Sequence, residues 1–355
     1  MKRLSFSGKS ITAIDLSSYE TKIVNGRQER DSTEIKKAFS FVTPAGAYEN
    51  GYIRDEYKLS DAVRRELRKN GISGGTCHIS IKSTAIIIRE LLLPNLGSKE
   101  LESMLSFQLG EYLPMDFSKY VIQHRAVESI ENAGQEKLNV LVVAIPKEMV
   151  DMHYNFIKEL GLKPEVMDFH SNGVWKFLRH GGRINGSLIP LETTIAAVDL
   201  GYSTSNVTIV NKGNAKLNRV IDSGGFSLDR NISKLMDPGS EELLTYKQRI
   251  SDISVVEAEY SEQDRYTNIT KTSLEGIMDK IDKVFKYYDS REPDKWLDNI
   301  LLYGGLSKIK GMDKLFGGYF SIPTAILESV EKIHLNGDIN KYVGCVGALI
   351  RDGRA

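Results

Sequence analysis

The chain has 355 residues, 41% of them apolar and 26% charged, which suits a globular protein with more material than one ordinary core requires, hence two lobes. Lys and Arg together number 47, as do Asp and Glu, so the formal charge is zero and nothing in the balance marks nucleic acid or an acidic membrane as the main partner. Two cysteines far apart in sequence, Cys77 and Cys345, argue against a disulfide framework or a zinc site and read as buried thiols in a reducing compartment, and the six histidines form no pair at metal-binding spacing.

No apolar run reaches the roughly 18 residues of a membrane span; the longest, Ala85 to Ile88, is broken at Arg89 and Glu90. Met1 to Ser10 carries basic residues with no apolar stretch behind them, so it reads as a frayed polar start rather than a secretory signal. The expected location is the cytoplasm.

In chain order, Ile11 to Ile14 reads as a strand ending on Asp15, and Thr21 to Val24 as the second arm of a hairpin across Ser17-Ser18-Tyr19-Glu20. Phe39 to Thr43 reads as a strand. Leu59, Ala62, Val63 and Leu67 form a helical stripe over 57–70, closed by Asn70-Gly71. Strands are expected at Cys77 to Ile81 and Ile86 to Leu93, then a helix capped by Ser98 with Leu101, Met104, Leu105 and Leu109 on one face. Tyr120 to Glu128 and Leu138 to Ile145 read as neighbouring strands around a loop at Asn132-Ala133-Gly134, and Pro146 opens a helix that Gly161 stops.

A helix over 172–180 leads to a second strand–Asp–turn–strand unit: Ile195 to Val198, Asp199, Leu200-Gly201-Tyr202-Ser203-Thr204-Ser205, then Val207 to Val210. Lys216 to Asp222 is a further strand, 226–290 is helix-rich and charged, and Asn299 to Tyr303 is a strand entering Gly304-Gly305. The end, 342–351, reads as a closing helix with small residues at Gly344, Gly347 and Ala348. Ile-Asp-Leu-Ser-Ser at 14–18 and Val-Asp-Leu-Gly-Tyr at 198–202 are two copies of one unit, which implies two similar lobes around one cleft.

The second copy has the chemistry of a phosphate cradle. Gly201 lets backbone approach an anion, and Tyr202, Ser203, Thr204 and Ser205 follow with backbone and hydroxyl donors. Asp199 would repel phosphate, so its expected task is to hold magnesium through water. In the first copy Asp15 has the matching place, with Ser17, Ser18 and Lys22; Ser17 stands where a phosphate loop prefers glycine, and Tyr19-Glu20 adds bulk and negative charge. The third element, Tyr303-Gly304-Gly305-Leu306-Ser307, brings bare backbone against a flat ligand such as adenosine. Rival signatures of phosphate binding, GxxxxGK[ST] and a well-placed GxGxxG, are absent. Asp168 and His170, just before the second lobe, are of the residue types that serve as a general base, but capping of the next helix accounts for them. No convincing catalytic base is found.

Two Asp loops followed by a Gly-Gly loop is the order of the actin, heat-shock chaperone and hexokinase superfamily. More narrowly, the chain resembles the type IV pilus assembly protein PilM family, relatives of the division protein FtsA. The likeness runs from Ile11 to Ile350 and is carried by Leu91-Leu92-Leu93-Pro94, the stretch 100–114, Val140 to Ile145, 147–160, Gly161 to Asp168, Phe285 to Ser290 and Gly304 to Ile309. It implies an α/β, actin-like (ribonuclease H-like) duplicated two-lobed fold with an FtsA-type IC-like inserted subdomain. The division expected from it is 1–85 as subdomain IA, 86–163 as the insert, 164–192 as the rest of the first lobe, 193–225 and 296–340 as IIA, 226–295 as IIB, and 341–355 as a helix returning to the first lobe.

The resemblance also implies ATP and Mg2+ as cofactors. Asp15 and Asp199 match the metal side, Ser17, Ser18, Lys22, Gly201, Tyr202, Ser203 and Thr204 the phosphate loops, and Gly304, Gly305 and Ser307 the nucleoside loop. The implied partner is the cytoplasmic N-terminal peptide of a PilN-like inner-membrane protein, held in a groove between the first lobe and the insert, with the pilus motor ATPase beyond it. Membrane association would thus be indirect, at the inner face of the cell membrane. Two departures, Ser17 and the shifted spacing of Glu241 to Lys247 against the family's adenosine helix, favour binding over turnover. The alternatives are an FtsA-like filament former, against which the missing amphipathic tail after Arg351 counts, and a superfamily metabolite kinase.

Overall fold

The computed structural model describes residues 10–95, 116–132, 135–236, 246, 250–255, 261–291 and 296–351. The expected helix after Ser98 and all of Glu241 to Lys247 except Tyr246 lie outside them.

The first lobe opens with three antiparallel strands, β1 (Ile11–Asp15), β2 (Glu20–Gln28) and β3 (Thr33–Val42), followed by a small ribbon of β4 (Tyr48–Glu49) and β5 (Tyr52–Ile53). Helix α1 (Glu56–Lys69) starts where the Asp55 side chain accepts the Lys58 N–H and ends where the Asn70 N–H donates to the Glu66 carbonyl and the Gly71 N–H to the Arg68 carbonyl. Its apolar stripe, Leu59, Ala62, Val63 and Leu67, is buried as its spacing predicts. Next come β6 (Thr76–Ile81) and the insert, β7 (Ile87–Pro94), β8 (Tyr120–Asn132) and β9 (Gln135–Pro146), a separate antiparallel sheet in the order β7-β9-β8. Helix α2 (Lys147–Glu159), β10 (Lys163–Phe169) and α3 (His170–His180) return the chain to the first sheet.

The second lobe repeats the plan with β11 (Thr194–Leu200), β12 (Ser205–Asn211), β13 (Asn214–Ile221), α4 (Gly225–Met236), α5 (Glu262–Arg291) and β14 (Asn299–Tyr303). Helix α6 (Met312–Phe320), the short strands β15 (Thr324–Ile326) and β16 (Ile333–Leu335), and α7 (Val343–Leu349) complete the chain.

The two sheets bear out the duplication read from the Asp motifs. The first runs β10-β6-β1-β2-β3 with β16 added at its edge, and the second β15-β14-β11-β12-β13. In each, the motif strand pairs antiparallel with the next strand and parallel with a later one. β10 escapes the sequence reading because Lys163-Pro164-Glu165 looks like a turn; it joins β6 in parallel by way of an irregularity between Pro164 and Val166. The strands β15 and β16 have three residues each, too few to show a period.

Helices α3 and α7 lie at the heart of the molecule. Val174, Trp175, Phe177 and Leu178 of α3, Val343, Val346 and Leu349 of α7, Ala13 and Val24 of the first sheet, and Ile195 and Leu301 of the second form one apolar core across both lobes. Every residue of α7 is buried, as expected of a helix with no polar face. It crosses α3 at glycines: a Cβ on Gly347 would lie 2.1 Å from the Gly173 carbonyl oxygen. The insert is tied to this core by Arg125, whose guanidinium sits 4.4 Å from the centre of the Trp175 ring. Gly347→Ala should drive the two helices apart and lower the unfolding free energy by about 3 kcal/mol, measured by urea denaturation, whereas Gly318→Ala, where an added Cβ meets nothing, should change it by about 0.5 kcal/mol or less.

Candidate functional site

Because β1 and β11 are the equivalent central strands of facing sheets, their last acidic residues meet at the lobe boundary. Asp15 pairs in register with Lys22 of β2 and Ser80 of β6, and Asp199 with Asn206 of β12 and Tyr303 of β14. Both carboxylates are buried and line a cleft of about 250 Å³. Ser17, Ser18, Lys22, Gly201, Tyr202, Ser203, Thr204 and Gly305 line the same cleft, so the structure brings together ten of the twelve residues singled out from the sequence.

Gly304 and Ser307 stand behind it. Gly304 has φ 91°, and a Cβ there would fall 2.4 Å from Oδ1 of Asp199, so this glycine is the floor against which the carboxylate rests. Ser307 is fully buried; its hydroxyl donates to the Gly304 carbonyl and accepts from Nδ2 of Asn340, while Oδ1 of Asn340 accepts the Gly304 N–H. The Ser307 hydroxyl thus points into the protein and braces the Gly304 turn. Gly305 faces the cleft, and an added Cβ would meet nothing within 4 Å.

Ser17 is also drawn into its own turn, donating to the Glu20 carbonyl and accepting the Glu20 N–H. Across the cleft mouth the Ser18 and Ser203 hydroxyls bond each other, and Tyr19 stacks on Tyr202 with ring centres 4.3 Å apart. The two loops thus touch, and an anion entering between them would part this contact.

Lys82, Gly225, Tyr48, Asn50 and Gly51 join the lining without having been singled out in the sequence. Lys82 forms an ion pair with Oδ2 of Asp199. Sheet register would have found it: Asp15 faces Ser80 as Asp199 faces Tyr303, so Lys82 occupies the place of Gly305. Burial alone would raise the Asp199 carboxyl, but Lys82, His170 and Lys22 hold it below its ordinary range. Burial would likewise lower Lys22, and the charges of Asp15 and Asp199 outweigh it and raise the ammonium instead.

Asp168 and His170 part company. Asp168 turns away from the cleft to pair with Lys176 and accept from Nδ2 of Asn172, and the residue at the cap of α3 is Phe169. His170, the first residue of α3, reaches Oδ2 of Asp199 at 3.4 Å and the Tyr303 hydroxyl at 3.2 Å. Burial, with Lys82 close by, lowers its pKa to about 4.

The cleft suits a polyphosphate: two ammonium groups, hydroxyls and glycine-rich turns at two loops, with open space at Gly305. A directly bound divalent cation does not fit this arrangement. Asp199 already uses one oxygen for Lys82 and rests the other on Gly304, and among the described residues no group of three or more His, Cys, Asp or Glu side chains is placed to hold a metal.

The family described as "Type IV pilus assembly protein PilM" matches residues 13–343. This chain belongs to the PilM family. That membership assigns it to type IV pilus assembly. Among solved structures it is similar to the "PilM-PilN type IV pilus biogenesis complex", with TM-score 0.76 and 15% identity over 96% of both chains. It is similar also to the ethanolamine utilization protein EutJ from Carboxydothermus hydrogenoformans, with TM-score 0.57 and 13% identity over 97% of this chain and 91% of that one. A third is MreB5 of Spiroplasma citri bound to ADP, with TM-score 0.51 and 13% identity over 96% and 94%. At these identities the structures show the fold of this PilM-family chain, which is the actin-like one.

The neutral state of His170 has a consequence for stability. Between its ordinary pKa of 6.5 and about 4, the unfolded chain takes up a proton that the folded chain refuses, so stability falls as pH is lowered through that window. Asp199, whose pKa is depressed, stays charged there and adds no loss of its own. The unfolding free energy from urea titrations should drop between pH 7 and pH 5, on the order of 1–2 kcal/mol for this histidine, and His170→Gln should remove that share while His153, buried and likewise lowered to about 4, keeps its own.

Proposed function

We propose that this PilM-family chain is an ATP-binding scaffold of type IV pilus assembly, which holds the cytoplasmic N-terminal peptide of a PilN-like inner-membrane protein and links it to the pilus motor. The observation that carries the nucleotide half is the convergence of both Asp loops and Gly305 on one cleft. ATP lies there as a ligand that sets the relation of the two lobes, since the Ser18–Ser203 and Tyr19–Tyr202 contacts are what it would part.

The peptide half is supported by a groove between the insert and the first lobe. Val121, Val143 and Ile145 of the insert, Val150 of α2 and Met167 and Phe169 of β10 line it, an apolar strip flanked by polar residues such as Arg125 and Asp168 and suited to an extended segment. The groove and the cleft are one residue apart in the chain: Phe169 lines the groove, and the next residue, His170, touches Asp199. Occupancy of one site therefore bears on the other through the start of α3. Among the described residues no helix is long and apolar enough to cross a membrane, which accords with attachment through the partner. The division into IA, IC-like insert, IIA and IIB carried by the resemblance belongs to this proposal, with β16 pairing on β3 as an added link between its parts.

The test is calorimetric titration of the full chain with a synthetic PilN-type N-terminal peptide, with and without ATP. Saturable binding whose Kd shifts about fivefold or more with ATP is expected; no binding in either condition would remove the scaffold reading. Val143→Glu, which puts a charge into the groove, should weaken the peptide by roughly tenfold or more while leaving nucleotide affinity within about twofold.

A further inference from the structure

Lys82 follows the end of β6 and enters the cleft from the first lobe. Its side chain is only 15% exposed, and its ammonium bonds Asp199 across the lobe boundary. A Cβ on Gly201 would lie 3.6 Å from the Lys82 nitrogen, so the ammonium sits where the Asp199 carboxylate meets the phosphate loop. In an arrangement with a divalent ion, that junction is where the ion would bridge carboxylate water and phosphate. The equivalent place in the second copy is Gly305, which offers no charge.

The electrostatic count points the same way. Asp15 and Asp199 are buried, Lys22 is partly buried beside them, and Lys82 completes two cations against these two anions, while Glu20 at the same cleft pairs with Lys341. A magnesium ion would add two positive charges to a pair of carboxylates already matched, and would have to expel an ammonium from Asp199 before binding it directly. Removing one partner of a buried ion pair costs about 3–5 kcal/mol, which the entering ion would have to offset.

We infer that Lys82 takes the place of the metal: the cleft accepts a nucleoside triphosphate as the free polyanion, with Lys82 and Lys22 donating to its phosphate oxygens and no divalent ion held by Asp15 or Asp199. This rests on the nucleotide reading above. An ammonium has three donors, so Lys82 keeps its bond to Asp199 while donating to a phosphate oxygen. The carboxylate becomes a holder of the lysine, and the strand end that carries it stays in contact with the other lobe.

The test follows fluorescence anisotropy of N-methylanthraniloyl-ATP on the full chain, in excess magnesium chloride and in EDTA. The wild-type Kd should differ by less than about threefold between the two. Lys82→Met, which keeps the stem and removes the charge, should weaken binding in EDTA by roughly tenfold or more and regain part of it with magnesium; Lys82→Arg should stay metal-independent. Wild-type binding that falls by about tenfold or more in EDTA would overturn the inference while leaving the nucleotide reading intact. So would Lys82→Met, folded as judged by its melting curve, binding as tightly as wild type without metal. The wild-type comparison needs no variant to fold. Failure to bind in any arm would instead remove the nucleotide reading itself.

Discussion

Two carboxylates end the central strands of two facing sheets, and the interior must match their charge. Asp15 and Asp199 are both buried, where an isolated anion is costly, so their position dictates much of what surrounds them. Lys22 comes from the returning arm of the first hairpin, directly opposite Asp15 in register. Lys82 comes from the neighbouring parallel strand and crosses the lobe boundary to Asp199. Helix α7 can approach because it has a glycine there: a Cβ on Gly344 would fall 2.8 Å from Oδ2 of Asp15 and equally close to the His170 ring. The small-residue helix, the two lysines and the neutral histidine are thus separate answers to one electrostatic demand.

The duplication was legible because an acidic residue at a strand end, followed by small and hydroxyl-bearing residues, is a local pattern and occurs twice. The helices α1 and α2 were legible from apolar spacing and flanking Asn-Gly or Gly signals, and their observed ends differ from the expected ones by about a residue. Lys82 was not legible, since its importance depends on which strand lies beside β1 and on how closely the lobes approach. The same holds for Asn340, far along the chain, which orients the Gly304 turn through a side chain that no motif announces. Ser307 shows the converse: its place in the Gly-Gly motif was clear, but only the fold reveals which way its hydroxyl points.

Small residues at 344, 347 and 348 were visible as a pattern, while the reason for them lay in the α3–α7 crossing and in the carboxylate beneath. β10, β15 and β16 were hidden for a different reason: edge and parallel strands this short or irregular take their identity from their neighbours rather than from their own sequence.

The order of assembly is constrained by where the last elements pack. β16 pairs with β3, linking Ile333 to Thr33, and α7 lies against β1, β2 and β6. The first sheet therefore has only α3 over part of its inner face until residues 343–349 have been made. A chain that has not yet made residues 343–349 lacks the α7 side chains that pack with Ala13 and Val24 in the shared core. Such a fold makes a premature stop costly to the cell, since a chain cut before Val343 exposes an apolar sheet face that chaperones must hold or proteases remove.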